Sequence, residues 1–187
     1  LGWLSYYRPK SIEYFPVLFQ ERRTGKNLAS FSINSKDIYK VDSVINSLKR
    51  KTYALFPNYM KDSEFSKFAL NTNNRLGYNS ITEAFKVFKT NIAKLTEETF
   101  TYMYLPDVDS KSHKYGVYSK EVSEVINEID TELKQINGKE NIEIIITADH
   151  GQTNVTEKGL KIDLKKYNKF FYALPGIDAG TATYYIK

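Results

Sequence analysis

The chain has 187 residues, 41% of them hydrophobic and 14% aromatic, which suffices for one well-buried core and argues against disorder. Its 27 Lys and Arg against 22 Asp and Glu give a net charge of +5, and the absence of Cys excludes disulfides, thiolate zinc sites, iron–sulfur clusters and cysteine nucleophiles. No apolar run approaches the ~18 residues of a membrane span, and any imidazole chemistry must use the two His present, His113 and His150.

The start, Leu1-Gly2-Trp3-Leu4, has neither an initiator Met nor a leader pattern, and the end reads as a strand cut short, so the chain is expected to be a piece of a longer protein. The compartment is left open, with the cytoplasm as the default. Phe15–Gln20 opens as a strand, Arg23–Asn27 reads as a turn, and Leu28–Ile33 follows it. Ile38, Val41, Val44, Ile45 and Leu48 recur at helical spacing, so a helix over Ser35–Leu48 is predicted, with Ser35 as its N-cap. Thr52–Phe56 is a short strand stopped by Pro57, and Ser63–Leu70 a short helix. Ser80-Ile81-Thr82-Glu83 fits a capping box before a helix that carries Ile81, Phe85, Phe88, Ile92 and Leu95 on one stripe. Thr99–Leu105 is β-prone and ends at Pro106. Ser119 caps the longest helix, with Val122, Val125, Ile126, Ile129, Leu133 and Ile136 facing inward and Gly138 closing it. The β-branched run Ile142–Thr147 predicts a buried strand. Strands alternating with helices predict an α/β fold, a three-layer sandwich with a mostly parallel central sheet.

Two polar clusters follow the two best strands. Pro106-Asp107-Val108-Asp109-Ser110-Lys111-Ser112-His113 comes after Thr99–Leu105, and Ala148-Asp149-His150-Gly151 after Ile142–Thr147. Ligands of open α/β sheets bind beyond the carboxyl ends of the strands. Either cluster alone could be a turn, with Asp107 or Asp109 capping a Pro-Asp loop and His150 preceding Gly151. Together they place both His of the chain, each beside an Asp, at one edge of the sheet. Asp and His without Cys suit a hard-to-borderline divalent metal, zinc above all.

The run Tyr102-Met103-Tyr104-Leu105-Pro106-Asp107-Val108-Asp109-Ser110, then His113 and Gly116, a helix, and Ile145-Ile146-Thr147-Ala148-Asp149-His150-Gly151 resembles the type I phosphodiesterase/nucleotide pyrophosphatase family. That family lies in the alkaline phosphatase superfamily. The resemblance is strongest over residues 99–155, and Leu174-Pro175-Gly176 before a strand also fits. It implies an alkaline-phosphatase-like fold, of which residues 1–187 are the central part of one catalytic domain. It implies two zinc ions about 4 Å apart, one bound by Asp109 and His113, the other by Asp149 and His150. Asp107 falls just outside this pattern, as a turn residue or a support behind the ligands. The resemblance further implies hydrolysis of a small phosphodiester or nucleotide-like substrate through a covalent phosphoenzyme. The family's nucleophile and one Asp ligand belong upstream of Leu1-Gly2-Trp3, and one His ligand belongs well downstream of the Asp-His-Gly. No catalytic nucleophile is therefore expected in this chain, and by itself it should be close to inert. Trp3 stands near the position of an Asn that contacts phosphate in the nucleotide pyrophosphatases.

The competing class is a metal-free pseudoenzyme or a basic anion- or nucleic-acid-binding domain. Residues 1–95 carry 16 basic and 7 acidic side chains, against 11 and 15 in residues 96–187. The basic residues are scattered, however. Their one tight cluster, Lys49-Arg50-Lys51, reads as the solvated end of a helix, and no nucleic-acid-binding motif accompanies it, so nucleic acid is not expected as a specific partner.

Overall fold

A computed structural model describes residues 4–138, 141–154, 163–173, 175–178 and 181–187. Leu1-Gly2-Trp3, and Leu174 of the Leu174-Pro175-Gly176 motif, lie outside the described residues. The strands are β1 (Ser5–Tyr7), β2 (Ile12–Phe15), β3 (Gln20–Glu21), β4 (Lys51–Pro57), β5 (Arg75–Tyr78), β6 (Thr99–Met103), β7 (Gly176–Asp178) and β8 (Thr181–Thr183). The α-helices are α1 (Ser35–Ile38), α2 (Glu64–Leu70), α3 (Ile81–Asn91), α4 (Asp107–Tyr115), α5 (Lys120–Lys134) and α6 (Leu164–Tyr167). They fall into two compact units, and α2, between β4 and β5 in the chain, belongs to the first.

In the first unit β1, β2 and β3 form an antiparallel meander, with Ser5 opposite Tyr14 and Tyr14 opposite Glu21. Its core gathers Tyr14, Phe19, Leu28, Ile33, Ile38 and Tyr39, against which Phe65 and Phe68 of α2 pack. Tyr39 sits 5.7 Å from the Phe65 ring, edge-on, and 4.7 Å from Phe68. Its hydroxyl donates to the Pro16 carbonyl at 2.7 Å, and burial pushes the phenol up to about 12. The expected strand over Phe15–Gln20 is instead the end of β2, a turn over residues 16–19, and the start of β3. Leu28–Ile33 opens as a 3-10 turn, because the Asn27 side chain accepts from Ala29 N–H and folds the backbone inward.

The predicted helix over Ser35–Leu48 stops after one turn. Asn34, not Ser35, is its N-cap, and Val41 and Val44 are 78% exposed. The helix ends where Tyr39 turns extended (φ −94°, ψ 100°), and Ser43 keeps the chain from resuming it. The Ser43 hydroxyl donates to the Ala69 carbonyl and accepts from Ile45 N–H, so the serine side chain takes the backbone out of the helical pattern.

The second unit holds a parallel three-stranded sheet in the order β5-β4-β6, with Leu55 opposite Leu76 and Met103. Tyr53, Leu55, Leu76 and Met103 lie in the cluster that packs on Ala84, Val87, Phe88 and Ile92 of α3 and its end. Phe85 and Ile81 of α3 then meet Val125 of α5 and Ile136 beyond it. A partly buried ion pair joins these helices, with Lys89 Nζ 3.0 Å from Glu132. Thr52, Ala54 and Phe56, which alternate with Tyr53 and Leu55, are buried too. The α/β class with parallel strands is thus present: α3 packs on the sheet and α5 on α3, which is one helical side of the expected three-layer sandwich. β5 had no expected counterpart. Arg50 and Lys51 lead into β4 and are not the end of a helix.

Ile142–Thr147 departs most from expectation. These residues belong to no described strand, and Ile145 and Ile146 are 82% and 74% exposed. Among the described residues of the run, Ile144 alone packs on the α3–α5 cluster. A run apolar on both faces is stable as a strand only when it is paired and covered on both sides. Among the described residues, β6 pairs with β4 and no strand continues the ladder beyond it.

Candidate functional site

The parallel strands β4, β5 and β6 all end at one edge of their sheet, and the chemistry collects after β6. The Tyr104 N–H still donates to the Leu55 carbonyl at 3.0 Å, one residue past the strand. Leu105 and Pro106 then turn the chain straight into α4, with Pro106 at the N-cap. Asp107-Val108-Asp109-Ser110-Lys111-Ser112-His113 is therefore helix rather than loop. The Asp-x-x-x-His spacing becomes an i, i+4 pair on one helical face, and His113 Nε2 lies 3.3 Å from Asp109 Oδ1. Asp107 points elsewhere. It is half-buried, and burial raises its carboxyl above the ordinary range.

The second cluster lies in an irregular segment held at two points, one on α4 and one just past its end. Gln152 Nε2 donates to Asp109 Oδ1 at 2.6 Å, and Asn154 Oδ1 accepts from Val117 N–H at 2.9 Å. Gly116 (φ +90°) ends α4 beside Asn154, in a conformation that favours glycine. Asp149 Oδ1 accepts from the His150 N–H at 3.1 Å, and the His150 ring lies 3.8 Å from the same oxygen. His150 Nδ1 is 3.0 Å from the Gly151 carbonyl. A carbonyl can only accept, so Nδ1 carries the proton in that contact, and Nε2 is the lone-pair nitrogen of the neutral ring. That is the tautomer a metal-binding imidazole adopts when a carbonyl orients it.

Tyr104, directly after β6, feels the charge of both clusters. Its phenol is raised first by burial, next by the negative charge of Asp149, then by Tyr102 and Asp109. Tyr102 is raised by burial and by Asp149. Both aspartates therefore act on one tyrosine at the end of β6. Behind it the Tyr78 hydroxyl donates to the Tyr104 carbonyl, and Phe56 stacks at a tilt on Tyr102 and Tyr104, at 5.8 and 6.1 Å.

The geometry brings Asp109 to His113, Asp149 to His150, and Gln152 to Asp109. It does not close them into one cage: among the described residues no three His, Asp or Glu groups lie close enough to hold a single metal ion. In kind the donors fit a divalent metal, two carboxylates and two imidazoles, one of the rings set in the right tautomer. In number each pair gives two protein ligands, where a catalytic zinc takes three and a water. The sequence reading missed Gln152 and Tyr104. The only signal for them is position, Gln152 directly after Asp-His-Gly and Tyr104 directly after a strand.

Comparison with known proteins gives one family. The model of "Type I phosphodiesterase / nucleotide pyrophosphatase" matches residues 16–173. Among curated proteins the chain is similar to ectonucleotide pyrophosphatase/phosphodiesterase family member 7 of Mus musculus, with 32% identity over 75 residues, 36% of this chain and 17% of that protein. It is also similar to the bis(5'-adenosyl)-triphosphatase ENPP4 of Homo sapiens, with 37% identity over 70 residues, 33% of this chain and 16% of that protein. The chain spans about a sixth of the length of the curated relatives it matches. No solved structure gives a significant match.

Proposed function

Because this chain belongs to the type I phosphodiesterase/nucleotide pyrophosphatase family, we propose that the protein carrying it is a metal-dependent phosphoric ester hydrolase. Its substrate is a small phosphodiester or a nucleotide-type pyrophosphate. In this reading Asp109 and His113 hold one divalent ion and Asp149 and His150 a second, with zinc the best match to the donors. One observation carries it: the two Asp–His pairs gather at the carboxyl end of β6, tied by the 2.6 Å Gln152–Asp109 bond and both acting on Tyr104. The name of the human relative adds dinucleoside triphosphates to the substrates worth testing.

Such ions, when bound, lower the pKa of a coordinated hydroxyl and neutralise charge on an in-line phosphoryl transition state. The chain's own residues prepare the place. Gln152 holds Asp109 by one oxygen and so fixes the carboxylate against the following segment. The Gly151 carbonyl keeps the His150 proton on Nδ1. Tyr104, raised by burial and two aspartates, keeps its O–H at neutral pH and serves as a donor rather than a base. With two donors per pair, metal binding by this chain alone is weak and its hydrolysis close to nil.

The test uses the protein that carries this segment, assayed on a chromogenic phosphodiester with added Zn²⁺ or Mn²⁺. His150→Ala is expected to lower turnover by about 100-fold or more, since loss of even an outer support of a metal ligand costs 10–100-fold. Circular dichroism should stay unchanged, because the exposed ring contributes little packing. Lys49→Ala should leave turnover intact. Unchanged turnover in His150→Ala overturns the assignment. An anion-binding domain would instead tolerate His150→Ala and weaken on loss of basic residues. Arg50 and Lys51 speak against that reading: they lie 3.0 and 2.6 Å from Glu98 and Glu97 and are already paired.

A further inference from the structure

The first unit contains a concave surface that the hydrolase reading does not use. Two cavities, of about 510 and about 340 Å³, share Glu13, Arg23 and Tyr172 in their walls. The larger also takes in Arg22 and Asn168, and its volume lies within the range of small-molecule sites. Asp109, His113, Asp149 and His150 all belong to the other unit.

The acids around this surface are already engaged. Glu13 accepts from Arg22 Nη1 at 3.0 Å and is only 13% exposed. The Glu21 carboxylate closes its own turn, accepting from the Arg23 N–H at 2.8 Å, the Thr24 N–H at 2.7 Å and the Thr24 hydroxyl at 2.6 Å. Those bonds, the Thr24 hydroxyl first, and the nearby charge of Arg23 hold the Glu21 carboxyl below its ordinary value, so it stays an anion committed to the turn. They also hold rigid the turn that carries Arg23. Among the described residues no side chain or carbonyl accepts from the Arg23 guanidinium, the Asn168 amide or the Tyr172 hydroxyl. Tyr172 is fixed as well. The Arg8 guanidinium covers its ring at 5.3 Å, and its N–H donates to the Tyr185 carbonyl at 2.7 Å.

The cavity is thus lined by a fork-shaped cation, an amide and a phenol, on supports already ordered by other bonds. A guanidinium matches the paired oxygens of a phosphate, and ordered supports lower the entropy lost on binding. We infer that this concavity is a binding site for a phosphate-bearing molecule, with Arg23 as its principal ligand and Asn168 and Tyr172 as its neutral partners. The phosphate can come from a soluble phosphomonoester or from a lipid headgroup, and the chemistry of recognition is the same.

Calorimetric titration of the chain with inorganic phosphate, then glycerol phosphate, tests this. EDTA is present throughout, so no ion on the aspartates and histidines of the second unit can hold the anion. Sedimentation with phosphatidylcholine vesicles, with and without phosphatidic acid, forms the lipid arm. Arg23→Gln is expected to weaken phosphate binding about tenfold or more, as loss of charged hydrogen bonds implies. Arg23→Lys should recover part of the loss, and Lys26→Gln, on the same turn outside the cavity, should change nothing. Binding of glycerol phosphate assigns the site to a soluble ligand, and binding to phosphatidic acid vesicles alone assigns it to a lipid. The inference is overturned if wild type binds none of the three, if Arg23→Gln binds as wild type does, or if Lys26→Gln weakens binding as much as Arg23→Gln. Matching thermal melts for the variants exclude a folding defect.

Discussion

At the scale of single residues, Glu21 gives a prediction about acid. Its folded pKa is lowered from 4.5, chiefly by the Thr24 hydroxyl and the Arg23 N–H. A depressed carboxylate adds stability that is present above its unfolded value and is lost as pH falls through the folded one. The excess stability of wild type over Glu21→Gln should therefore be full at neutral pH and vanish as pH drops below 4.5. Urea melts of both at several pH values measure it, and a constant difference across that window would contradict the turn-locking role. The residue scale is also where the site was most legible. Asp109 and His113 stand four apart after a strand, and a helix turns that spacing into contact. Gln152 and Tyr104 were not legible. The Gln152–Asp109 bond spans 43 residues of sequence, and nothing local to Gln152 announces its partner.

The elements show the same division between local and distant causes. Helix α3 was readable because cap and stripe agree, although it ends at Asn91 and leaves Leu95 of the expected stripe beyond it and exposed: the Ser80 hydroxyl accepts from Glu83 N–H at 3.2 Å, and Ile81, Ala84 and Phe85 are buried. The box is incomplete, since the Glu83 carboxylate accepts from Asn79 N–H rather than from that of Ser80. Ser80→Ala should cost about 1 kcal/mol. Phe85→Ala, at the junction of α3 with α5, should cost about 3–5 kcal/mol, read from denaturant midpoints. If Phe85→Ala costs no more than Ser80→Ala, the α3–α5 interface is not packed as described. The helix expected over Ser35–Leu48 failed although its periodicity is genuine: the chain turns extended at Tyr39, whose hydroxyl bonds to Pro16, and Ser43 then bonds to Ala69, partners 23 and 26 residues away. Ile142–Thr147 failed because strand propensity needs a neighbouring strand, and among the described residues none pairs with it.

For the whole chain, the alternation of strands and helices was enough to give the α/β class and the parallel sheet. The division into two units was not foreseen, since it sends α2 to a different unit from the strands it links. Asp109, His113, Asp149 and His150 all keep 45% or more of their side-chain surface exposed, away from the described core. Metal is therefore expected to bind without holding the fold. Zn²⁺ titration of this chain should show weak uptake and not two tight stoichiometric sites. EDTA should leave the melting temperature where it was, whereas a structural zinc would lower it sharply on removal.

The unpaired run Ile142–Thr147, exposed at Ile145 and Ile146, has a consequence for handling the molecule. Four isoleucines and a threonine with one charge, without proline or glycine, form the kind of segment that stacks into fibrils when left unpaired. Concentrated solutions of the chain should slowly acquire thioflavin fluorescence, with a lag that shortens as concentration rises. Ile145→Lys places a gatekeeper charge on a side chain that is 82% exposed, so it should lengthen that lag at no cost in stability. The isoleucines that would secure a strand in the company of another are, in this chain, expected to open a route to amyloid.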